Sequence, residues 1–268
     1  MAKLNLSPRL TMIADFVPEG DALADVGCDH GWLGLSLLAA GKIPAVIGCD
    51  LREGPIEGAR EHARLTGLSD RASFRLSDGL DGLEAGETKT LVISGMGGAL
   101  MAEILLREKD KTKSFKTLIL EPQKEHSLVR KAIRELGFVI TDERMAVERG
   151  KYYPVIKASA RAERETEKKN GAKAEDRTLA ADEIRREDAY GPVLIRRRDP
   201  VLKQYLLLRK AADTKMLEGT KSSTNPDARE RRSMFSQDLE DVRFLLSLYE
   251  SRGESPSSAP EASGHGDI

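Results

Sequence analysis

The chain has 268 residues, of which 32% are charged and 4% are aromatic, and its formal net charge is −1. This length accommodates one α/β domain with an appendage, and the near-neutral charge excludes a global polycation, so a nucleic-acid partner must meet a local basic patch. No apolar run reaches the roughly 20 residues of a membrane span, and the polar N-terminus is not typical of a secretory signal. Cys28 and Cys49 lack metal-ligand or disulfide-framework spacing. These features favour a cytoplasmic protein without a metal or a membrane partner.

A short helix opens the chain after residue 6. Ser7 is typical of an N-cap, and Pro8 is favourable at the first helical position. Arg9 falls in the first turn, where a cation opposes the helix dipole. We therefore expect Arg9 either to be solvated or to contact a phosphate of the substrate.

A short apolar strand then leads through a glycine-bearing turn directly into a helix that begins at Trp32. Gly27 permits a sharp turn and the close approach of a ligand. Dinucleotide sites carry a further glycine where this chain has Asp29, whose charge would repel a diphosphate. A ligand with a cationic head, such as S-adenosylmethionine (SAM), suits Asp25 and Asp29 better. The alternative is an ordinary strand-to-helix corner.

Two further strands end in acidic residues. Asp50 closes the second strand 23 positions beyond Gly27, where a nucleoside-binding α/β fold uses a carboxylate to bind ribose hydroxyls. A helix-capping role is the alternative. The third strand, 72–77, leads into Asp78 and Gly79, which either accept a hydrogen bond from an adenine amine or simply form a turn.

The fourth strand, 90–94, is followed by the turn Gly95-Met96-Gly97-Gly98, which brings bare backbone close to the ligand. This turn lacks the Asn/Asp-Pro-Pro-aromatic pattern of enzymes that methylate an exocyclic adenine amine. A fifth strand at 117–121 and an antiparallel pair, 138–140 and 152–156, complete the sheet. The pattern predicts a Rossmann-like, SAM-dependent methyltransferase fold with a seven-stranded sheet.

The remainder of the chain changes in composition. The segment 161–188 has eight basic and nine acidic residues, which predicts a mobile insertion or a ragged surface helix without chemistry. Helices at 201–217 and 228–249 have apolar spacings typical of an antiparallel coiled-coil hairpin. The segment from Tyr190 to Met234 contains eleven basic and five acidic residues, and this local excess of positive charge indicates either a solvated surface or a phosphate-binding patch.

These changes predict four regions. They are a SAM-binding catalytic domain at 1–160, a charged insertion at 161–189, a helical hairpin with the candidate phosphate-binding patch at 190–250, and a disordered polar tail at 251–268.

These motifs together resemble the bacterial tRNA (adenine-22-N1)-methyltransferases, the TrmK family. The resemblance rests on the segments 6–10, 24–31, 48–50, 77–79, 94–98, 121–123, 148–156 and 190–192. The Asp-His turn combined with Gly-Met-Gly-Gly is far more specific than a single glycine motif. Trp32 stands where this family has a tyrosine, and the charged segment is longer than in the family.

The resemblance implies that the protein uses SAM to methylate N1 of adenine 22 in tRNA, and that the helical hairpin at 190–250 binds the tRNA. The residues expected to bind the cofactor are Asp25, Gly27, Cys28, Asp50, Leu51, Ser77, Asp78, Gly79, Gly95 and Met96. Those expected to meet tRNA are Arg9, Trp32, Arg196, Arg197 and Arg198.

Asp29 is the first candidate to stabilise the positive charge of the methylated adenine, and His30 is the second. Cofactor binding is the alternative role for Asp29. The alternative functions are a noncatalytic protein that binds RNA or another partner and a methyltransferase for small molecules. The sequence does not define the oligomeric state.

Overall fold

The computed structural model describes residues 6–160, 174–220 and 225–250. Its strands are β1 (Leu23–Val26), β2 (Val46–Asp50), β3 (Ala72–Leu76), β4 (Thr90–Met96), β5 (Thr117–Pro122), β6 (Phe138–Glu148) and β7 (Lys151–Ala160). Its α-helices are α1 (Pro8–Phe16), α2 (Trp32–Ala39), α3 (Glu53–Thr66), α4 (Gly98–Arg107), α5 (Lys109–Ser114), α6 (His126–Glu135), α7 (Ala174–Tyr190), α8 (Pro192–Arg197), α9 (Pro200–Thr220) and α10 (Pro226–Glu250).

The seven strands form one sheet in the order β3-β2-β1-β4-β5-β7-β6. The first five pair in parallel, whereas β7 is antiparallel to both β5 and β6. The parallel strands β1, β2 and β5 are buried along their whole length, and two apolar clusters pack against the sheet. The predicted Rossmann-like methyltransferase fold, including its antiparallel edge pair, is confirmed.

Local sequence explains the start of α1 and the edge hairpin. The Ser7 hydroxyl accepts a hydrogen bond from the amide of Leu10 at 3.3 Å, so Ser7 is the N-cap of α1. Arg149 and Gly150, with φ angles of 51° and 74°, make the turn between β6 and β7. Positive φ at both central residues matches the right-handed twist of the paired strands.

Strand β6 continues to Glu148, beyond the three residues that its apolar run predicts. Its polar residues are accommodated by specific partners: Glu143 binds Arg130 at 2.8 Å, Arg144 binds Asp15 at 3.4 Å, and Asp142 binds Arg197. Helix α5 is also an addition, since its charged residues carry little apolar periodicity.

The end of the charged segment forms a helix whose last turn is packed against the sheet domain. Helix α7 extends to Tyr190, and its Asp188 carboxylate is buried and receives both Nη atoms of Arg134 at 2.7 and 2.8 Å. Charged residues order this helix end because the Asp188 carboxylate, which is itself buried, is paired with Arg134 of α6. The first part of the segment, 161–173, and the predicted tail, 251–268, lie outside the described residues.

The chain divides into two compact units between Leu202 and Lys203. In the second unit, Arg209 of α9 donates to Asp238 of α10 at 2.7 Å, and Lys203 lies 5.7 Å from the ring centre of Tyr249. The buried apolar residues of this unit are Leu206, Leu239, Val242, Leu245 and Leu246. Early residues of α9 pair with late residues of α10, so the two helices form the predicted antiparallel hairpin.

Candidate active site

A cavity of about 520 Å³ lies at the carboxyl ends of the parallel strands. Strand β1 sits between β2 and β4, so the cavity occupies the point where the strand order reverses, the usual ligand position in open α/β sheets. It is lined by Arg9, Leu10, Asp25, Val26, Gly27, Cys28, Asp29, Trp32, Leu33, Asp50, Leu51, Arg52, Ser77, Asp78, Gly79, Ser94, Gly95, Met96, Leu100, Ile104 and Gln123. Its volume is in the range of cofactor sites.

The turn after β1 brings bare backbone to the cavity wall. Gly27 has a φ of +74°, and its amide donates to the Cys49 carbonyl at 2.8 Å. A Cβ at position 27 would lie 2.4 Å from the Met96 methyl carbon. Glycine therefore provides both the left-handed backbone and the close approach of the β1 and β4 turns.

Acidic side chains dominate the centre of the cavity. Asp50 Oδ2 accepts from the Asp29 amide at 3.3 Å, and Asp50 Oδ1 accepts from the Arg52 amide at 3.0 Å. Burial, and next the Asp50 carboxylate, raise the pKa of Asp25 to about 7. Four aspartates and two arginines line the cavity, which favours a ligand with positive charge.

The end of the cavity near β3 combines polar groups with an apolar wall. The Ser77 hydroxyl accepts from the Gly82 amide at 2.8 Å, and Arg107 Nη2 lies 3.4 Å from Asp78 Oδ1. Asp78 remains 56% exposed, so its carboxylate is accessible to a ligand. The apolar side chains at this end are Leu51, Leu100 and Ile104. Such a surface suits a planar, partly polar ring.

The opposite end of the cavity is formed by α1 and the turns after β4 and β5. Arg9 is not a purely solvated cation, because its Nη1 donates to Glu121 Oε2 at 2.6 Å. The same oxygen accepts from the Gly95 amide at 2.8 Å. The Arg9 guanidinium also lies 5.6 Å from the ring centre of Tyr153.

The turn before α2 presents Asp29 to solvent. Asp29 has a φ of 51° and a side chain 61% exposed, and it lines the cavity. His30 is not part of this wall, and its Nε2 lies 3.9 Å from Asp29 Oδ1. Trp32 does line the cavity, and its ring packs on His62 with a centroid distance of 4.3 Å.

The three consecutive arginines lie apart from the cavity lining, at the end of α8. Arg197 is paired with Asp142 of β6, and Arg198 adopts a left-handed conformation as the C-cap of α8. Arg196 is exposed.

Both cysteines are buried and free of disulfide bonds. Burial raises the pKa of the Cys28 thiol strongly and that of Cys49 to about 11. Neither thiol is therefore activated as a nucleophile. Within the described ranges, no group of three His, Cys, Asp or Glu side chains is placed to hold a metal ion.

Several lining residues escaped sequence reasoning. Leu100 and Ile104 are four positions apart after the glycine turn, and this helical spacing was a usable signal. Arg52 follows Asp50 closely and was likewise accessible to inference. Glu121, which lies behind the lining, was not accessible to inference, because its partner Arg9 is 112 positions away in sequence.

The comparisons with known proteins agree with this geometry. A family model described as a methyltransferase domain matches residues 6–156. The tRNA (adenine(22)-N(1))-methyltransferase of Bacillus subtilis is 35% identical over 160 residues, which cover 60% of this chain and 67% of that protein.

Solved structures extend the likeness to the C-terminal part. The crystal structure of the B. subtilis M1A22 tRNA methyltransferase TrmK aligns with a TM-score of 0.78 and 27% identity, covering 91% of this chain and 99% of that one. Streptococcus pneumoniae Sp1610 in complex with S-adenosyl-L-methionine aligns with a TM-score of 0.73 and 27% identity, covering 90% and 100%. Family model, curated relative and solved structures converge, and the chain belongs to the methyltransferase-domain family and, within it, to the TrmK family of tRNA (adenine(22)-N(1))-methyltransferases.

Proposed function

We propose that this protein is an enzyme that transfers a methyl group from SAM to N1 of adenine 22 in tRNA. The observation that carries the proposal is the acidic cavity at the β1–β4 switch point, with a carboxylate at the end of β2. The family membership supplies the reaction and the substrate position.

The residues of the cavity are suited to SAM, which supplies an electrophilic methyl group on a positively charged sulfur. Asp50 accepts hydrogen bonds from the ribose hydroxyls at the end of β2. Leu51 and the apolar wall of α4 flank the adenine ring, while Ser77, Asp78 and Gly79 lie beside its amine. Asp25 lies near the cationic end of the cofactor, whose positive charge would favour the ionised form of this buried carboxyl over the protonated form that its raised pKa otherwise favours.

The turns that carry glycine complete the cofactor site. Gly27 and Cys28 follow β1, and Gly95 and Met96 end β4, so the two turns enclose the methionine portion between them. A Cβ at position 95 would find no atom nearer than 3.9 Å, so bare backbone at Gly95 leaves room for the attacking base, whereas the space beside Gly27 is filled by the Met96 methyl group.

The reaction requires alignment more than acid–base chemistry. N1 of adenine uses its lone pair to bond the methyl carbon, the carbon–sulfur bond breaks with its electron pair left on sulfur, and the positive charge moves to the adenine ring. A carboxylate beside that ring stabilises the charge as it develops. Asp29 is exposed on the cavity wall and is our first candidate for this role, with cofactor binding as its alternative. His30 is second because it lies outside the wall.

Substrate contacts are assigned to two parts of the chain. Trp32 and Arg9 lie at the cavity and meet the target nucleotide. The region 190–250 grips the tRNA backbone through Arg196 to Arg198 and the hairpin. Exposed cations of the hairpin include Lys210, Lys215, Arg229 and Arg231. Phosphate contacts of this type fix position rather than read sequence.

The domain roles follow from these assignments. Residues 1–160 catalyse the reaction, 161–189 connect, and 190–250 bind tRNA. Such a substrate places the enzyme in the cytoplasm. Each helix in residues 6–160, 174–220 and 225–250 is too short or too polar for a bilayer span.

The experiment that tests this function is methyl transfer from labelled SAM to unmodified tRNA, followed by digestion to nucleosides. We expect the label in 1-methyladenosine. Label in N6-methyladenosine, or transfer to small molecules but not to tRNA, would overturn the proposal. Binding of tRNA without any transfer would indicate a noncatalytic RNA-binding protein.

A further inference from the structure

Glu121, at the end of β5, joins two walls of the cavity through a single oxygen atom. Its Oε2 accepts from Arg9 Nη1 at 2.6 Å and from the Gly95 amide at 2.8 Å. The side chain is fully buried, with 0% exposure. Glu121 thereby ties α1 to the turn of β4 while remaining behind the cavity surface.

The two groups that Glu121 holds lie at the substrate end of the cavity. Arg9 and Gly95 both line it, and a Cβ at position 95 would lie 3.9 Å from both Arg9 Nη1 and Gln123 Nε2. Asp50 and the end of β3 form the opposite end, which the nucleoside portion of the cofactor occupies in the proposed function. The incoming adenine would therefore bind against the wall that Arg9, Gly95 and Gln123 form.

Stability does not explain the carboxylate at this position. Glu121 Oε1 is buried and accepts no hydrogen bond from the described part of the chain, and burial raises the pKa of Glu121. A second carboxylate, Glu148, lies 3.9 Å from Arg9 Nε. Its Oε2 is likewise buried and accepts no hydrogen bond from the described part of the chain. A well-packed apolar residue generally costs less than a buried charge of this kind. Such costly groups concentrate at functional sites.

We propose that Glu121 is a positioning residue for methyl transfer, acting through Arg9 and Gly95. It holds the guanidinium and the glycine turn as a fixed surface against which the adenine is placed in line with the methyl group. Displacements of about 1 Å in such a surface lower reaction rates by about 100-fold. This inference rests on the proposed function and adds a residue that does not itself touch the substrate.

The test compares Glu121→Met with Glu121→Gln in single-turnover methyl transfer at saturating SAM and tRNA. Both replacements are unbranched and of similar length. Only glutamine has a side-chain oxygen that can replace the carboxylate oxygen as the acceptor from Arg9 and Gly95. We expect E121M to lower the rate constant by at least about 10-fold, with SAM affinity within about 3-fold of wild type. We expect E121Q to restore most of the rate.

Glu143→Met is the matched control. Glu143 is also fully buried on a strand, binds Arg130, and accepts from the Val193 amide at 2.9 Å, yet neither Arg130 nor Val193 lines the cavity, whereas both partners of Glu121 do. E143M should lower the unfolding midpoint at least as much as E121M and leave the single-turnover rate constant of the folded protein unchanged. Should E121M fail to unfold cooperatively, Arg9→Lys carries the test, because lysine keeps the charge but cannot reproduce the guanidinium geometry.

An E121M protein as fast as wild type would overturn the role of Glu121 alone. So would an E143M protein whose rate constant falls as much as that of E121M, since the loss of rate would then reflect only lost stability. An E121Q protein as slow as E121M would also overturn it, since the acceptor oxygen would then be irrelevant. A wild-type protein that transfers no methyl group to tRNA would overturn the proposed function, and this inference with it.

Discussion

Arg130 Nε donates to Glu143 Oε1 at 2.8 Å, and the two side chains are only 2% and 0% exposed. Arg130 Nη1 also donates to the Asp188 carbonyl at 2.9 Å, while Glu143 Oε2 accepts from the Val193 amide. One buried ion pair thus connects α6 and β6 with the end of α7 and the start of α8. The sheet and the chain that leads to the hairpin share a single internal network.

Arg130→Met should strongly destabilise the protein, because it leaves the Glu143 charge buried without its cationic partner. We expect a loss of about 3 to 5 kcal/mol in the free energy of unfolding, measured by denaturant titration. Lys109→Met is the control, since its ion pair with Glu135 is 2.7 Å long but exposed, and should cost about 0.2 to 1 kcal/mol. Equal losses in the two variants would contradict the role of burial.

The second prediction concerns pH and Asp25. Its raised pKa means that the folded protein keeps a proton at Asp25 between about pH 4 and 7, where the unfolded chain has lost it. The stability from this group is therefore fully present below about pH 4 and declines as pH rises to about 7. His126 acts oppositely, because burial lowers its pKa to about 4, so its contribution grows as pH rises through that range.

Asp25→Asn separates these two effects. We expect the free energy of unfolding of D25N, minus that of wild type, to increase between about pH 4 and 7 and to be constant above it. Denaturant titrations at a series of pH values measure this difference. A difference that does not change with pH would show that Asp25 titrates alike in the folded and unfolded chains.

Asp50→Ala should weaken SAM binding, because it removes the carboxylate that accepts from the ribose. Loss of a charge-assisted hydrogen bond costs about 1.5 to 3 kcal/mol, or about 10- to 150-fold in Kd. Calorimetry on the folded variant measures this change. Asp81→Ala is the control, since Asp81 is nearby but does not line the cavity. Equal SAM affinity in D50A and wild type would remove Asp50 from the cofactor site.

Removal of the helical hairpin should weaken tRNA binding and leave SAM binding intact, provided that the chain is cut after α8. A protein that ends at Leu202 keeps the whole cavity lining and the Arg130–Glu143 network, so it should bind SAM as wild type does. Its tRNA affinity should fall, and the dependence of that affinity on salt should flatten, because phosphate contacts are lost. Unchanged affinity and salt dependence would show that the hairpin serves another purpose.

A cut at Ala189 serves as the contrast. It removes Gly191 and Val193, which contact the Glu143 carboxylate, and should therefore lower the unfolding midpoint as well. Loss of SAM binding in the longer protein would contradict the assignment of the cofactor site to the first compact unit.

Sequence predicted the features that depend on short-range patterns. The apolar run before Gly27, the acid at the end of β2, and the glycine turn after β4 are local signals, and the structure brings all three to one cavity. The sheet order follows from alternating strands and helices, since right-handed parallel connections leave few topologies.

The features that the sequence did not predict depend on contacts between residues that are far apart in the chain. Glu121 and Arg9 meet only after the sheet forms, and nothing near either residue indicates the other. The polar part of β6 hid its strand character, because its charges are satisfied by Arg130, Arg197 and Asp15. Asp188 likewise is ordered by Arg134 of another helix rather than by an apolar face of its own.

In the proposed function, the enzyme methylates adenine 22 of tRNA at N1. The most direct measurement compares two unmodified tRNA transcripts, identical except that one carries guanine at position 22, in methyl transfer from labelled SAM with nucleoside analysis. We predict one equivalent of 1-methyladenosine in the first transcript and none in the second. Equal methylation of both transcripts, or label in any nucleoside other than 1-methyladenosine, would contradict the claim.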